Sequence, residues 1–405
     1  MAAIAAMILL AVGFGFWADA NRATLRKNKT LLSIYRSVRK ISDIMYLPYY
    51  FRQDEIPSYE IELDPRDIRK MDESLPEVGV GHAVLDDRVY VPARFSYQGI
   101  DYEVEIRYRG DEPPHWTDPK KSYLVKFKKG EQFKGISRIS FIIVDDRKFA
   151  LEHFNNWRAK KFGLRVPESG FANLRINGKS HGLYFMIENW NEDMFDEWGI
   201  PKTSGLFGDD DTPEVFDKNP DFLWQDRSAW KVIAGESNEQ LGRLLDLLNK
   251  ASDEEFNFKI FELLDKDNFY AWQADQELMN SVHQNSGNVR LLFDAGENKF
   301  FFIPWDVSSD PAENDNFGQY GALARRIFKN PQYLQEKNAL LRAYIYDEKN
   351  LMNDLKFYDE TWKAMQISLY KDRLKIYPNR YADEQYRFFR QEIIDNFERL
   401  KRNLP

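Results

Sequence analysis

Between Tyr59 and Arg109 apolar and polar residues alternate along the chain. Tyr59-Glu60-Ile61-Glu62-Leu63 and Tyr102-Glu103-Val104-Glu105-Ile106-Arg107-Tyr108 both keep a period of two, which turns one face of an extended strand to a core and the other to water. Gln98-Gly99 supplies turn residues ahead of the second run. A loop over 110–119 and a strand over 122–127 follow. Residues 147–162 change to helical spacing, with Phe149, Phe154, Trp157 and Phe162 on one face and Gly163 placed as a C-cap. Two further strands, 171–176 and 183–188, meet at the turn Asn177-Gly178. After Asp193 helical patterns dominate, over 238–250, 253–264, 267–282 and 333–402. One strand pair interrupts them, 289–294 and 299–303, joined across Ala295-Gly296-Glu297-Asn298. Strands first and helices later predict an α+β fold of two lobes.

The N-terminus has a different pattern. Residues 1–18 carry no charge and are rich in Ala, Ile, Leu, Phe and Met, at the lower edge of what spans a bilayer as a helix. Cations follow rather than precede this run (Arg22, Arg26, Lys27, Lys29, Arg36, Arg39, Lys40), and Trp17 stands where an interfacial aromatic belongs. A secretory signal has the opposite charge order. The expectation is a single-pass transmembrane helix over 1–20 that ties the protein to a membrane; a cleaved signal and a buried core helix are the alternatives. The downstream cations favour a cytoplasmic bulk, a cleaved signal would reverse that, and the side of the membrane stays open. Residues 21–57 read as a basic juxtamembrane segment, with Leu31, Leu32, Ile34, Tyr35, Val38 and Ile41 near helical spacing, resting on anionic lipid or simply connecting. Pro48 and Pro57 mark its end. A main domain over 58–325 and a helical extension over 326–405 complete the expected plan.

Composition narrows the function classes. Aromatic residues make up 15% of the chain, enough for a large core, and a net charge of -8 argues against broad nucleic-acid binding, for which cations must neutralise phosphates. The chain has 0 Cys, so disulfides, thiolate catalysis and Cys-based zinc sites are excluded. No His/Glu metalloprotease spacing, nucleophile elbow or Walker-type glycine loop is present. Gly79-Val80-Gly81 is too short for a nucleotide fingerprint. Asp209, Asp210 and Asp211 read as an exposed acidic loop, with calcium as the alternative.

Three blocks carry a resemblance. The first is Arg107-Tyr108-Arg109-Gly110 followed by Lys120-Lys121-Ser122-Tyr123-Leu124-Val125-Lys126-Phe127. The second is Ile176-Asn177-Gly178 leading to His181-Gly182-Leu183-Tyr184-Phe185-Met186-Ile187-Glu188. The third begins at Asn288 and closes on Ile303-Pro304-Trp305-Asp306. In this order they resemble the CotH (spore-coat) kinase family over roughly residues 58–320. The resemblance implies a two-lobed, atypical protein kinase-like fold that uses ATP and Mg2+ or Mn2+ to phosphorylate Ser/Thr of a protein substrate.

Phosphoryl transfer is mostly positioning and electrostatics. A strand lysine must hold the phosphates, and Lys126 and Lys121 both qualify; Arg107 and Arg109 offer bidentate contacts. Each of these also reads as a solvated strand charge. Glu188 closes an apolar strand where an interlobe hinge would meet the adenine, and Glu152 can pair with the phosphate lysine. Asp306 follows Phe301, Phe302, Ile303, Pro304 and Trp305, so a cation is needed to neutralise a carboxylate at the end of a buried strand. Asn288 is placed to give a second metal its amide oxygen, and Asp310 is a second ligand or a loop acid. The pattern departs from a kinase at one point. A catalytic loop sets its base aspartate five residues before that asparagine, and here the position holds His283. An imidazole can accept the hydroxyl proton. Residues 280–288 contain no carboxylate, which supports the second reading, a catalytically inactive, membrane-anchored nucleotide-binding or scaffold module.

Overall fold

The computed structural model describes residues 43–75, 88–110, 113–117, 119–209, 221–236, 239–281, 288–307 and 321–404, together with residues 10, 13, 14, 17, 30 and 34. They fall into two compact units, the first drawn from Met1–Phe149, Ser169–Glu188 and Glu360–Phe388, the second from Ala150–Glu168, Asn189–Asp359 and Phe389–Pro405.

The first unit is built on a closed barrel of β1 (Ser58–Glu62), β2 (Val91–Tyr97), β3 (Ile100–Tyr108), β4 (Tyr123–Phe127), β5 (Arg138–Ile143), β6 (Ser169–Ile176) and β7 (Lys179–Glu188). The order is β1-β2-β3-β4-β5-β7-β6, and the parallel pairing of β1 with β6 closes it. Closure leaves no strand edge exposed. The period-two runs give the interior: Ile61, Phe95, Ile106, Val125, Ile139, Phe141 and Leu174 are fully buried there. Tyr59, Phe95 and Phe133 meet in it with ring centroids 5.2–5.6 Å apart. Gln98-Gly99 and Asn177-Gly178 are left-handed at both positions, the conformation that a tight hairpin with the right twist demands. The helix α1 (Pro65–Glu73) is capped by Asp64, whose carboxylate accepts from Arg66 N at 2.8 Å. A 3-10 helix, Asp43–Phe51, is tied into the same unit: Tyr46 Oη donates to Asp383 Oδ2 at 2.6 Å and Asn379 N donates to Asp43 Oδ1 at 2.8 Å.

The second unit holds an antiparallel sheet in the order β11-β10-β8-β9, from β8 (Gly205–Asp209), β9 (Trp230–Gly235), β10 (Arg290–Asp294) and β11 (Lys299–Ile303). Around it lie α2 (Leu151–Lys161), α3 (Gln240–Lys250), α4 (Asp253–Leu263), α5 (Lys266–Met279), α6 (Ala322–Phe328) and α7 (Pro331–Tyr346), while α8 (Glu348–Lys371) and α9 (Asn379–Asn403) contribute residues to both units. Every residue of α5 from Phe269 to Met279 is buried. Its charges are therefore paired: Lys337 reaches Glu277 at 2.5 Å, and Arg158 Nε reaches Asp275 Oδ1 at 3.2 Å with both side chains at 0% exposure. The helix α2 ends in a Schellman motif, Leu164 N to Ala159 O and Gly163 N to Lys160 O, with Gly163 left-handed as its position predicts. It starts at Leu151 rather than 147 because Lys148 and Phe149 are left-handed and cannot enter the first turn.

Two expectations are corrected. The fold is not strands followed by helices with a transmembrane helix in front; it is mixed α/β, a seven-stranded barrel and a four-stranded sheet whose strands alternate with helices along the chain. The strands β8 and β9 had no signal, since Gly205, Gly208 and Gly235 dilute their pattern; β8 is a strand because β10 supplies its ladder, and β9 because β8 does. Asp209 is the last residue of β8, and Asp210 and Asp211 lie outside the described residues. No helix among the described residues is long and apolar enough to cross a membrane, which overturns the transmembrane helix and the single-pass membrane localisation. Of the residues expected to form that helix only 10, 13, 14 and 17 are described, and they make no continuous apolar span. Most of the segments expected over 1–20 and 21–57 lie outside the described residues.

Candidate active site

The β10–β11 ladder ends on the pair Arg290 and Ile303. Two residues beyond one strand and three beyond the other stand Asn288 and Asp306, so the register places both past the same end of the hairpin. Both are left-handed, at φ 54° and 53°, a conformation that Asn and Asp tolerate and most residues do not. The carboxylate of Asp306 follows buried Phe302, Ile303, Pro304 and Trp305 and is itself half-buried. Its neighbours are fixed. The Trp305 ring lies 4.8 Å from the Trp190 ring, with the Arg290 guanidinium 5.8 Å away, and Val307 O accepts from Asn155 Nδ2 at 2.6 Å. His283 and Asp310 lie outside the described residues.

The basic residues belong to the first unit. Lys126 is 42% exposed, paired with Glu105 at 3.1 Å. Lys121 sits 3.1 Å from Asp72 and 4.7 Å from the Tyr108 ring. Glu188, 2% exposed, ends β7 opposite Ile139, in the row of Val125 that faces the barrel interior, so it does not share a face with Lys126. Arg109 donates its backbone N–H to Ser122 O at 3.0 Å. Arg107 lies on β3, its guanidinium 5.1 Å from the Tyr90 ring. Glu152 is buried in the first turn of α2, in the second unit.

The lysine that the barrel itself uses was not among those singled out. Lys120 is 5% exposed; it donates to Asp372 and to Leu183 O, 4.5 Å from the Tyr184 ring. Asp372 also accepts from Leu183 N, Leu374 N and Lys375 N at 2.9–3.2 Å. Burial works to raise its pKa, and Lys120 and Lys375 outweigh that and hold it low. A second buried cluster fixes the loop before β4. His115 Nδ1 lies 2.9 Å from Ser122 Oγ, and its Nε2 lies 3.2 Å from Asp146. Against the effect of burial, His115, Arg147 and Arg109 hold the Asp146 carboxyl far below the usual range. Gly110 is required there, since a Cβ would overlap the His115 ring. The Lys120-Lys121 doublet drew attention to the right place, but Asp372 is 252 residues away in sequence and no local pattern points to it.

Among the described residues no group of three or more His, Asp or Glu side chains is placed to hold a metal alone. One carboxylate and one amide past a strand end are the kind of donor set that a nucleotide-borne magnesium takes, the phosphates and water completing its octahedron. The residues present fit such an ion.

The CotH kinase protein family matches this chain over residues 106–402, from β3 through α9. Inner spore coat protein H of Bacillus subtilis (strain 168) is 22% identical over 271 residues, 64% of this chain and 69% of that protein. The family match over 106–402 takes in the strand-end pair Asn288 and Asp306, the lysine doublet and the whole barrel from β4 onward. The chain belongs to the CotH kinase protein family.

Proposed function

We propose that the protein transfers the γ-phosphoryl group of ATP to Ser or Thr of a protein substrate, with Mg2+ or Mn2+ bound through Asp306 and Asn288. The observation that supports this most is the left-handed Asp306 held past the same end of the β10–β11 hairpin as Asn288, in a chain of a kinase family. The acceptor hydroxyl oxygen forms a bond to the γ-phosphorus as the bridging bond to the β-phosphate breaks, and ADP leaves. His283 takes the hydroxyl proton, and a largely dissociative transition state asks little of that base. Lys121 or Lys126 and Arg109 meet phosphate oxygens, Glu188 lies at the nucleotide hinge, and Asp310 completes the metal site. The metal, when bound, neutralises charge on the β- and γ-phosphates. Similarity to an inner spore coat protein makes the structural proteins of such a coat the first acceptors to try.

A second reading has its own support. Residues 280–288 contain no carboxylate, as in a nucleotide-binding scaffold that does not turn over. Thermal shift with ATP and Mg2+ or Mn2+ tests the shared step. Wild type at 100-fold over Kd gains about 2.7 kcal/mol, and Asp306→Asn, which keeps the left-handed geometry and removes the charge, loses that gain. Labelled phosphate transfer to a protein acceptor then separates the two readings. A shift without transfer leaves the scaffold, and no metal-dependent shift in wild type sinks both.

A further inference from the structure

Asp306 is flanked by residues that different elements of the second unit hold. On one side the Trp305 ring packs on Trp190; on the other, Val307 O is taken by Asn155. Asn155 is a costly residue for its place. It lies in the middle of α2, where asparagine is a poor helix former, and is 1% exposed, where an apolar side chain needs no partner. Its Nδ2 donates to Val307 O at 2.6 Å, and its Oδ1 receives no hydrogen bond. The single bond of this buried amide therefore goes to the residue that follows Asp306. The helix that carries it is firmly placed, because Arg158, three residues on, is locked to Asp275 of α5 with both side chains at 0% exposure.

We infer that Asn155 is a positioning residue: by holding Val307 O it keeps the turn after β11 in the left-handed conformation that presents the Asp306 carboxylate to a phosphate-borne divalent metal. The inference rests on the kinase reading of Asp306. Aspartate tolerates the left-handed region but does not prefer it, so one orientation of the carboxylate persists only where its surroundings fix it. Trp190 and Asn155 supply two of the constraints, one on each neighbour. Without the second, the carboxylate samples other orientations and the metal loses a preorganised ligand. A residue that orients a ligand in this way acts on metal affinity more than on folding.

The test titrates Mn2+ against the full-length protein in saturating ATP and reads the melting temperature, for wild type, Asp306→Asn, Asn155→Ser and Asn155→Leu. Serine is too short to reach Val307 O, and leucine fills the volume without a donor, so one variant serves if the other folds poorly. The expected result is an Mn2+ midpoint raised roughly tenfold or more in either Asn155 variant, beyond any change in the nucleotide-free melting temperature. A lowered nucleotide-free melting temperature with an unchanged Mn2+ midpoint overturns the inference, since Asn155 then only packs the helix. Failure of wild type to show any Asp306-dependent Mn2+ effect overturns the kinase reading and the inference together, an outcome distinct from the first.

Discussion

Asp372→Asn is the sharpest perturbation that the first unit offers. The side chain is at 0% exposure, and each carboxylate oxygen accepts from two donors. Oδ2 takes Lys120 Nζ and Leu183 N, and Oδ1 takes Leu374 N and Lys375 N. An amide has the same shape, but whichever way it is turned its NH2 faces two donors, and the Lys120 ammonium is left buried without its counter-charge. Breaking one side of a buried pair costs about 3–5 kcal/mol. Lys120→Met leaves Asp372 its three backbone donors and costs less, about 2 kcal/mol. The double variant should cost less than the sum by about 1–3 kcal/mol, the signature of a coupled pair. Urea unfolding followed by tryptophan fluorescence measures all three. With a slope of about 3 kcal/mol/M, Asp372→Asn moves the midpoint down by at least about 1 M. A midpoint within about 0.2 M of wild type, or single effects that simply add, would refute the idea that this ion pair fastens the barrel.

Two further perturbations test the packing around it and in the second unit. Gly182 has φ 82° and a Cβ there would overlap the Asp372 carboxylate, so Gly182→Ala should destabilise by about 2 kcal/mol or more in the same urea assay; an unchanged midpoint contradicts the close approach. Burial, with help from Lys160, holds His153 down at about 4 against an ordinary value of about 6.5. The folded state thus favours the neutral ring, and that stability is complete above the ordinary pKa and lost as pH falls toward 4. About 2 kcal/mol should be gone by pH 5. His153→Gln removes this dependence, and the difference between wild type and variant is the readout, because Asp275, pushed up to about 6 by burial against the pull of Arg158, runs the opposite way. A difference that stays flat between pH 7.5 and 5 would dismiss the buried-histidine account.

The sequence by itself determined what local physics controls. Period-two alternation at 59–63 and 102–108 placed β1 and β3, because a half-buried strand must alternate. Asn177-Gly178 placed the β6–β7 hairpin, because the two residues enter the left-handed region at little cost. Apolar spacing placed α3, α4 and α5 to within a few residues, and Phe301–Trp305 ahead of Asp306 announced a carboxylate at the end of a buried strand. The motif blocks were enough to identify the family, which residues 106–402 bear out. Tertiary structure decided the rest. The strand β8 exists because β10 offers it hydrogen bonds and β9 because β8 does, and the barrel closes because β6 meets β1 in parallel, a pairing across more than 100 residues that alternation cannot specify. The same holds for the charges. Nothing local distinguishes Lys120 from Lys121, or Asp372 from any helix-end acid, since each becomes structural only when a distant partner removes it from water. Nothing in the helical pattern over 147–162 singles out Asn155, and only the fold brings Val307 O within reach of its amide.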